Sequence, residues 1–99
     1  MPPADYVLEV VCRGDAESAV RALIIEAGSG GGLQVKSLRS TDTETPGEIA
    51  LRAEMSAARR DDTPLENALR VLSSEPAIRS VRWSIQDQAA AGWTGRATD

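Results

Sequence analysis

The segment Cys12-Arg13-Gly14-Asp15 places the only thiol of the chain beside a guanidinium, a glycine and a carboxylate. Two chemistries fit those types at that spacing. A nucleophilic thiolate would need a neighbouring base or a depressed pKa, and the 99 residues include no histidine. Cys12 also alternates in phase with Leu8 and Val10, which predicts a buried thiol behaving as a small hydrophobe. Alternatively, Arg13, Gly14 and Asp15 form a loop that holds a small ligand where a helix begins, because the free N–H groups there attract anions. The competing reading is a strand-to-helix joint, and a single glycine does not separate the two.

The other chemically capable residues form no constellation. Asp42, Glu44 and Glu48 lack the ligand spacing and central glycine of a calcium loop. Asp61-Asp62 reads as charge favouring the positive end of a following helix. Gly28-Ser29-Gly30-Gly31-Gly32 follows a helical pattern and lacks the terminal Lys-Ser/Thr of a phosphate cradle. No catalytic residue, metal ligand set or cofactor site is therefore assigned. A net charge of −4 argues against nucleic acid and against docking on an anionic lipid surface. One cysteine cannot form an internal disulfide. There is no apolar run of about 18 residues to cross a membrane, and "MPPADY" lacks the apolar core of a signal peptide.

These residues must be positioned by an aliphatic framework, since the chain has three aromatic residues and no Phe. Tyr6 to Arg13 alternates, with Tyr6, Leu8, Val10 and Cys12 on one face, which predicts a half-buried strand. A helix follows, with Gly14 or Asp15 as its cap. Val20, Leu23, Ile24 and Ala27 form its apolar stripe, Glu17 and Arg21 make an outward i,i+4 pair, and Gly28 ends it in a left-handed conformation. "LQVKSLRS" (33–40) is a second strand in which Leu38 breaks parity, which points to a bulge or a slightly different register. Lys36 and Arg39 suit a sheet edge. Pro46-Gly47 is a tight turn, and Glu48 to Met55 alternates again with Ile49, Leu51, Ala53 and Met55 inward. Thr63-Pro64-Leu65-Glu66 predicts a capping box ahead of a stripe of Leu65, Ala68, Leu69 and Leu72. The last strand spans Ile78 to Gln86, with Val81, Trp83 and Ile85 inward.

The order strand, helix, strand, strand, helix, strand predicts an α+β fold. It is a ferredoxin-like, ACT-like βαββαβ unit over residues 5–86, with two helices on one face of a four-stranded antiparallel sheet. Residues 87–99 have no period and are expected to form a disordered tail. The opposite sheet face stays open. Val7, Glu9, Val11, Arg52 and Glu54 are its central positions and a candidate interaction surface. It lacks the stacked aromatics of an RNA-binding sheet.

Three stretches, "YVLEVVCRGDAESAVRALI", "LQVKSLRSTD" and "LENALRVLSSEPAIRSVRW", resemble the cytosolic C-terminal domain of the MgtC/SapB family of bacterial membrane proteins. The last is the most telling: a helix ending in Leu-Ser, a proline soon after, then Ile-x-x-Val-x-Trp. The resemblance implies a non-enzymatic regulatory or protein-interaction domain on the cytoplasmic side of the cell membrane, monomeric in isolation. Its partners would be the membrane half of its own protein and other membrane proteins. It further implies a link to growth in low magnesium and survival in host phagocytes; the placement of the acids nevertheless predicts no specific magnesium binding by this domain. The alternative is an ACT-type amino-acid sensor acting as a dimer, in which Gly14 would match the ligand-loop glycine.

Overall fold

A computed structural model describes residues 3–59 and 61–86. The expected tail, with Trp93, lies outside the described residues. Strand β1 (Ala4–Arg13) passes through a short 3-10 turn (Gly14–Ala16) into helix α1 (Glu17–Gly30). Strands β2 (Gln34–Asp42) and β3 (Glu48–Ala57) form a hairpin, and helix α2 (Thr63–Ser73) leads to β4 (Ile78–Gln86). The strands pair antiparallel in the order β2-β3-β1-β4. This is the ferredoxin-like, ACT-like arrangement that the element order predicts.

Period-two alternation decides which side chains are buried. Tyr6, Leu8, Val10 and Cys12 of β1 and Leu51, Ala53 and Met55 of β3 meet Val20 and Ile24 of α1 and Leu65 and Leu72 of α2 in one core. Trp83 is half-buried against it, edge-on to Tyr6 with ring centroids 5.9 Å apart. Leu69 departs from expectation: it is only half-buried. The buried stripe of α2 is Leu65, Ala68 and Leu72, a step of three and then of four, and its centre leans toward Ala68, which leaves Leu69 at the margin on the other side of Leu65.

Parity predicted the bulge in β2. The register shifts between Val35 and Ser37, which returns Leu38 to the helix face opposite Ala53. A second irregularity between Val11 and Cys12 leaves Arg79 without a partner in the ladder, and its guanidinium lies 3.2 Å from Glu48.

The helix ends differ from expectation. Helix α1 continues through Gly28, which is buried inside it. A Cβ there would sit 3.2 Å from both the Met55 sulfur and the Val35 Cγ2, so the glycine permits close descent onto the sheet. The left-handed residue is Gly32, at φ 86°. Leu33 N–H donates to the Gly28 carbonyl and Gly32 N–H to Ser29, the 6→1 and 5→2 pattern of a Schellman ending. Neither Gly14 nor Asp15 caps α1, which has no side-chain cap. Thr63 does not cap α2 either, since it already lies in the first turn after Asp62. Instead the Asp61 carboxylate accepts from Thr63 N–H at 3.0 Å. That bond, and after it the Thr63 side chain, hold the Asp61 carboxyl below its ordinary pKa; desolvation opposes them, and the nearby Arg59 charge adds a lesser lowering.

Glu17 and Arg21 are not simply an outward pair. They approach to 3.8 Å, and both engage β2. Arg21 donates to the Ser40 hydroxyl and the Leu38 carbonyl, and Ser40 donates to Glu17. The pair ties α1 to the edge strand.

Candidate functional site

Two surfaces compete, and geometry separates them. In the first, Arg13, Gly14 and Asp15 are neighbours, but their polar groups are engaged with each other and with the hairpin. Arg13 Nε lies 3.1 Å from the Asp15 carboxylate, an exposed pair of small energetic value. The Gly14 N–H, which a ligand would use, donates to the Gly47 carbonyl at 2.8 Å. Thr45-Pro46-Gly47-Glu48 closes as a turn with Glu48 N–H on the Thr45 carbonyl and Gly47 at φ 83°, the geometry Pro-Gly favours in a type II turn. Between this turn and the first loop lies a shallow depression of about 380 Å³, which Arg79 also lines.

Cys12 beside this loop is fully buried. Burial first, then the charges of Glu17 and Asp15, push its thiol above the ordinary cysteine range, the reverse of what a nucleophile needs. We expect iodoacetamide to leave Cys12 unmodified in the folded chain and to alkylate it once urea unfolds the protein. Equal rates in the two states would mean the thiol is accessible.

The second surface is the sheet face without helices. Register places its residues in three rows. Arg39, Arg52, Glu9 and Arg82 lie side by side across β2, β3, β1 and β4. Thr41, Ala50, Val11 and Ser80 form the next row, and Ser37, Glu54, Val7 and Ser84 the row on the other side. All five positions predicted from alternation share this face. Glu9 joins two guanidiniums, Arg52 Nη1 at 3.2 Å and Arg82 Nε at 2.8 Å, and Arg52 lies 3.9 Å from Glu54. Val11 is half-buried and lines a trough of about 690 Å³ between the arginine and hydroxyl rows. Val7, by contrast, is only 5% exposed, so it serves as floor and offers little contact area.

Sequence reasoning missed Arg39, Thr41, Ser80 and Arg82. Arg82 carried a signal, since it alternates with Val81 and Trp83. Arg39 and Thr41 did not, because the bulge at Lys36 decides their face. Among the described residues no three His, Cys, Asp or Glu side chains converge as metal ligands would, and no helix is long and apolar enough to cross a membrane.

Comparison with known proteins adds three findings. The family described as "MGTC/SAPB C-terminal domain" matches residues 6–83. Protein MgtC of Brucella abortus (strain 2308) is 37% identical over 84 residues, covering 85% of this chain and 35% of the relative. The chain thus spans about a third of the length of the curated relatives it matches. The solution structure of the C-terminal domain of the MgtC protein from Mycobacterium tuberculosis superimposes with a TM-score of 0.77 at 27% identity, covering 87% of this chain and 90% of that one. An ACT domain protein from Streptococcus pneumoniae has a TM-score of 0.62 at 20% identity, covering 92% and 94%, a likeness of fold alone.

Proposed function

Because the chain belongs to the MgtC/SapB family, in its C-terminal domain, we propose that it is a non-enzymatic regulatory and protein-interaction module of a longer bacterial membrane protein. It sits on the cytoplasmic side of the cell membrane, and its open sheet face docks on the membrane half of the same protein. The role proposed for the whole protein is growth in low magnesium and survival inside host phagocytes. The observation that carries the docking reading is the asymmetry of the sheet. One face is sealed by two helices, while the other carries a half-buried valine within a charged frame, on a sheet face that no described element covers. The length of the relatives supports a further segment as occupant. The alternative, an amino-acid sensor working through the Gly14 loop, is less favoured because the Gly14 N–H is already bonded to Gly47.

Val11→Asp is the direct test. A carboxylate in the centre of the Val11 row should abolish co-purification of the domain with its membrane half, while the melting curve stays near that of the parent. Undiminished co-purification by a folded variant would remove the open face from consideration.

Magnesium acts elsewhere in this reading. The ion demands near-octahedral oxygen geometry and releases water reluctantly. Here Glu48 is paired with Arg79, and Glu17 with Arg21 and Ser40. Millimolar magnesium should leave the amide spectrum and melting temperature of the domain unchanged relative to sodium at equal ionic strength. Saturable shifts confined to one group of carboxylates would contradict this.

A further inference from the structure

We propose that the open face seats an extended acidic segment of its partner protein, with a carboxylate held at the Arg39–Arg52 end of the arginine row and an apolar side chain over Val11 and Ala50. This rests on the docking reading above and adds the chemistry of the occupant.

The first observation is charge. The chain carries −4 overall, yet the row across all four strands has three guanidiniums, Arg39, Arg52 and Arg82, against the single carboxylate of Glu9. Glu9 already serves Arg52 and Arg82. Arg39 makes no ion pair among the described residues and stands directly opposite Arg52 in the ladder. Like charges facing each other across strands are unfavourable. A carboxylate seated between them converts that repulsion into charge-assisted hydrogen bonds, and guanidinium forks suit carboxylates particularly well.

The second observation is spacing. The Val11 row lies two residues along each strand from the arginine row. Side chains two apart on an extended segment are separated by the same step, roughly 7 Å. A segment running along the strands therefore sets an acid over the arginine row and its i+2 neighbour over Val11 and Ala50, with Thr41 and Ser80 hydroxyls at the sides. A free inorganic anion would use the guanidiniums but not the apolar centre. An anionic lipid surface would face the net negative charge of the whole chain.

The test is a titration of this chain, followed by amide shifts, with acetyl-SESVSES-amide and its control acetyl-SQSVSQS-amide. Sodium phosphate and phosphatidylglycerol/phosphatidylcholine vesicles are run alongside. The acidic peptide should give saturable shifts at Arg39, Thr41, Ala50, Val11 and Ser80. The glutamine control should bind at least about tenfold more weakly, since each charged hydrogen bond lost is worth that much or more. Arg39→Gln, and separately Arg82→Gln, should weaken the acidic peptide in folded protein, Arg39→Gln the more. Equal binding of the two peptides would overturn the acidic occupant. So would shifts located elsewhere, binding indifferent to Arg39, or phosphate or vesicles reproducing the same shifts with no preference for peptide. In each case docking through the face would still be judged separately by Val11→Asp, so the two readings fail independently.

Discussion

Leu51→Ala should destabilise the domain by about 2–5 kcal/mol, the range for removing a large aliphatic side chain from a packed interior. Leu51 is 1% exposed and sits in β3, inside the sheet, directly opposite Val10 on β1. Truncation leaves a cavity under helices that span only 14 and 11 residues, and helices this short draw most of their stability from packing. The neighbouring change, Arg52→Ala, points to the other face and loses exposed ion pairs to Glu9 and Glu54. Such pairs are worth about 0.2–1 kcal/mol. Urea melts of the two variants should differ severalfold in lost stability. Equal losses would mean that the two faces of β3 are not inequivalent in the way described.

The alternation that sets Leu51 against Arg52 was legible because it depends on neighbours in sequence: Tyr6 to Cys12 and Ile49 to Met55 repeat every second residue, and burial follows. The bulge in β2 was legible for the same reason, since Leu38 fell out of phase. What depended on tertiary contact was not legible. Gly28 looked like a helix terminator because glycine often is one, but it serves the approach of α1 to Met55 and Val35. Glu17 and Arg21 had the spacing of an isolated helix pair, and only the position of Ser40 on β2 shows that they anchor an edge. The capping box at Thr63 failed because Asp61, two residues upstream, accepts the N–H of Thr63 itself and starts the helix earlier. For the candidate site, alternation identified the face but not the rows. Rows need register, and two bulges shift it, so the Arg39–Arg52 juxtaposition could not be read from spacing alone.

Tyr6→Ala should be among the most damaging single changes, at about 3–5 kcal/mol by comparison with other buried aromatic truncations. Tyr6 is fully buried and does two separable things. Its ring fills the core beneath α2 and meets Trp83 edge-on, a geometry that adds to simple area burial. Its hydroxyl reaches the segment that starts α2, accepting from Asp61 N–H at 3.1 Å and donating to the Asp61 carbonyl at 3.2 Å. Asp61 in turn receives Thr63 N–H, so the phenol holds the backbone from which the helix begins. Tyr6→Phe isolates the second role. It should cost about 0.5–1.5 kcal/mol, the net worth of an ordinary hydrogen bond, because water can reach the exposed Asp61 and take over part of the bonding. Local opening should show it more clearly than global melting. Amide hydrogen exchange in the Asp61–Glu66 segment should accelerate in Tyr6→Phe, while exchange in β1 and β3 changes little. If Tyr6→Phe costs as much as Tyr6→Ala, the hydroxyl and not the ring holds this corner of the fold. If Tyr6→Ala costs under about 1 kcal/mol, the side chain is not part of the packed interior at all.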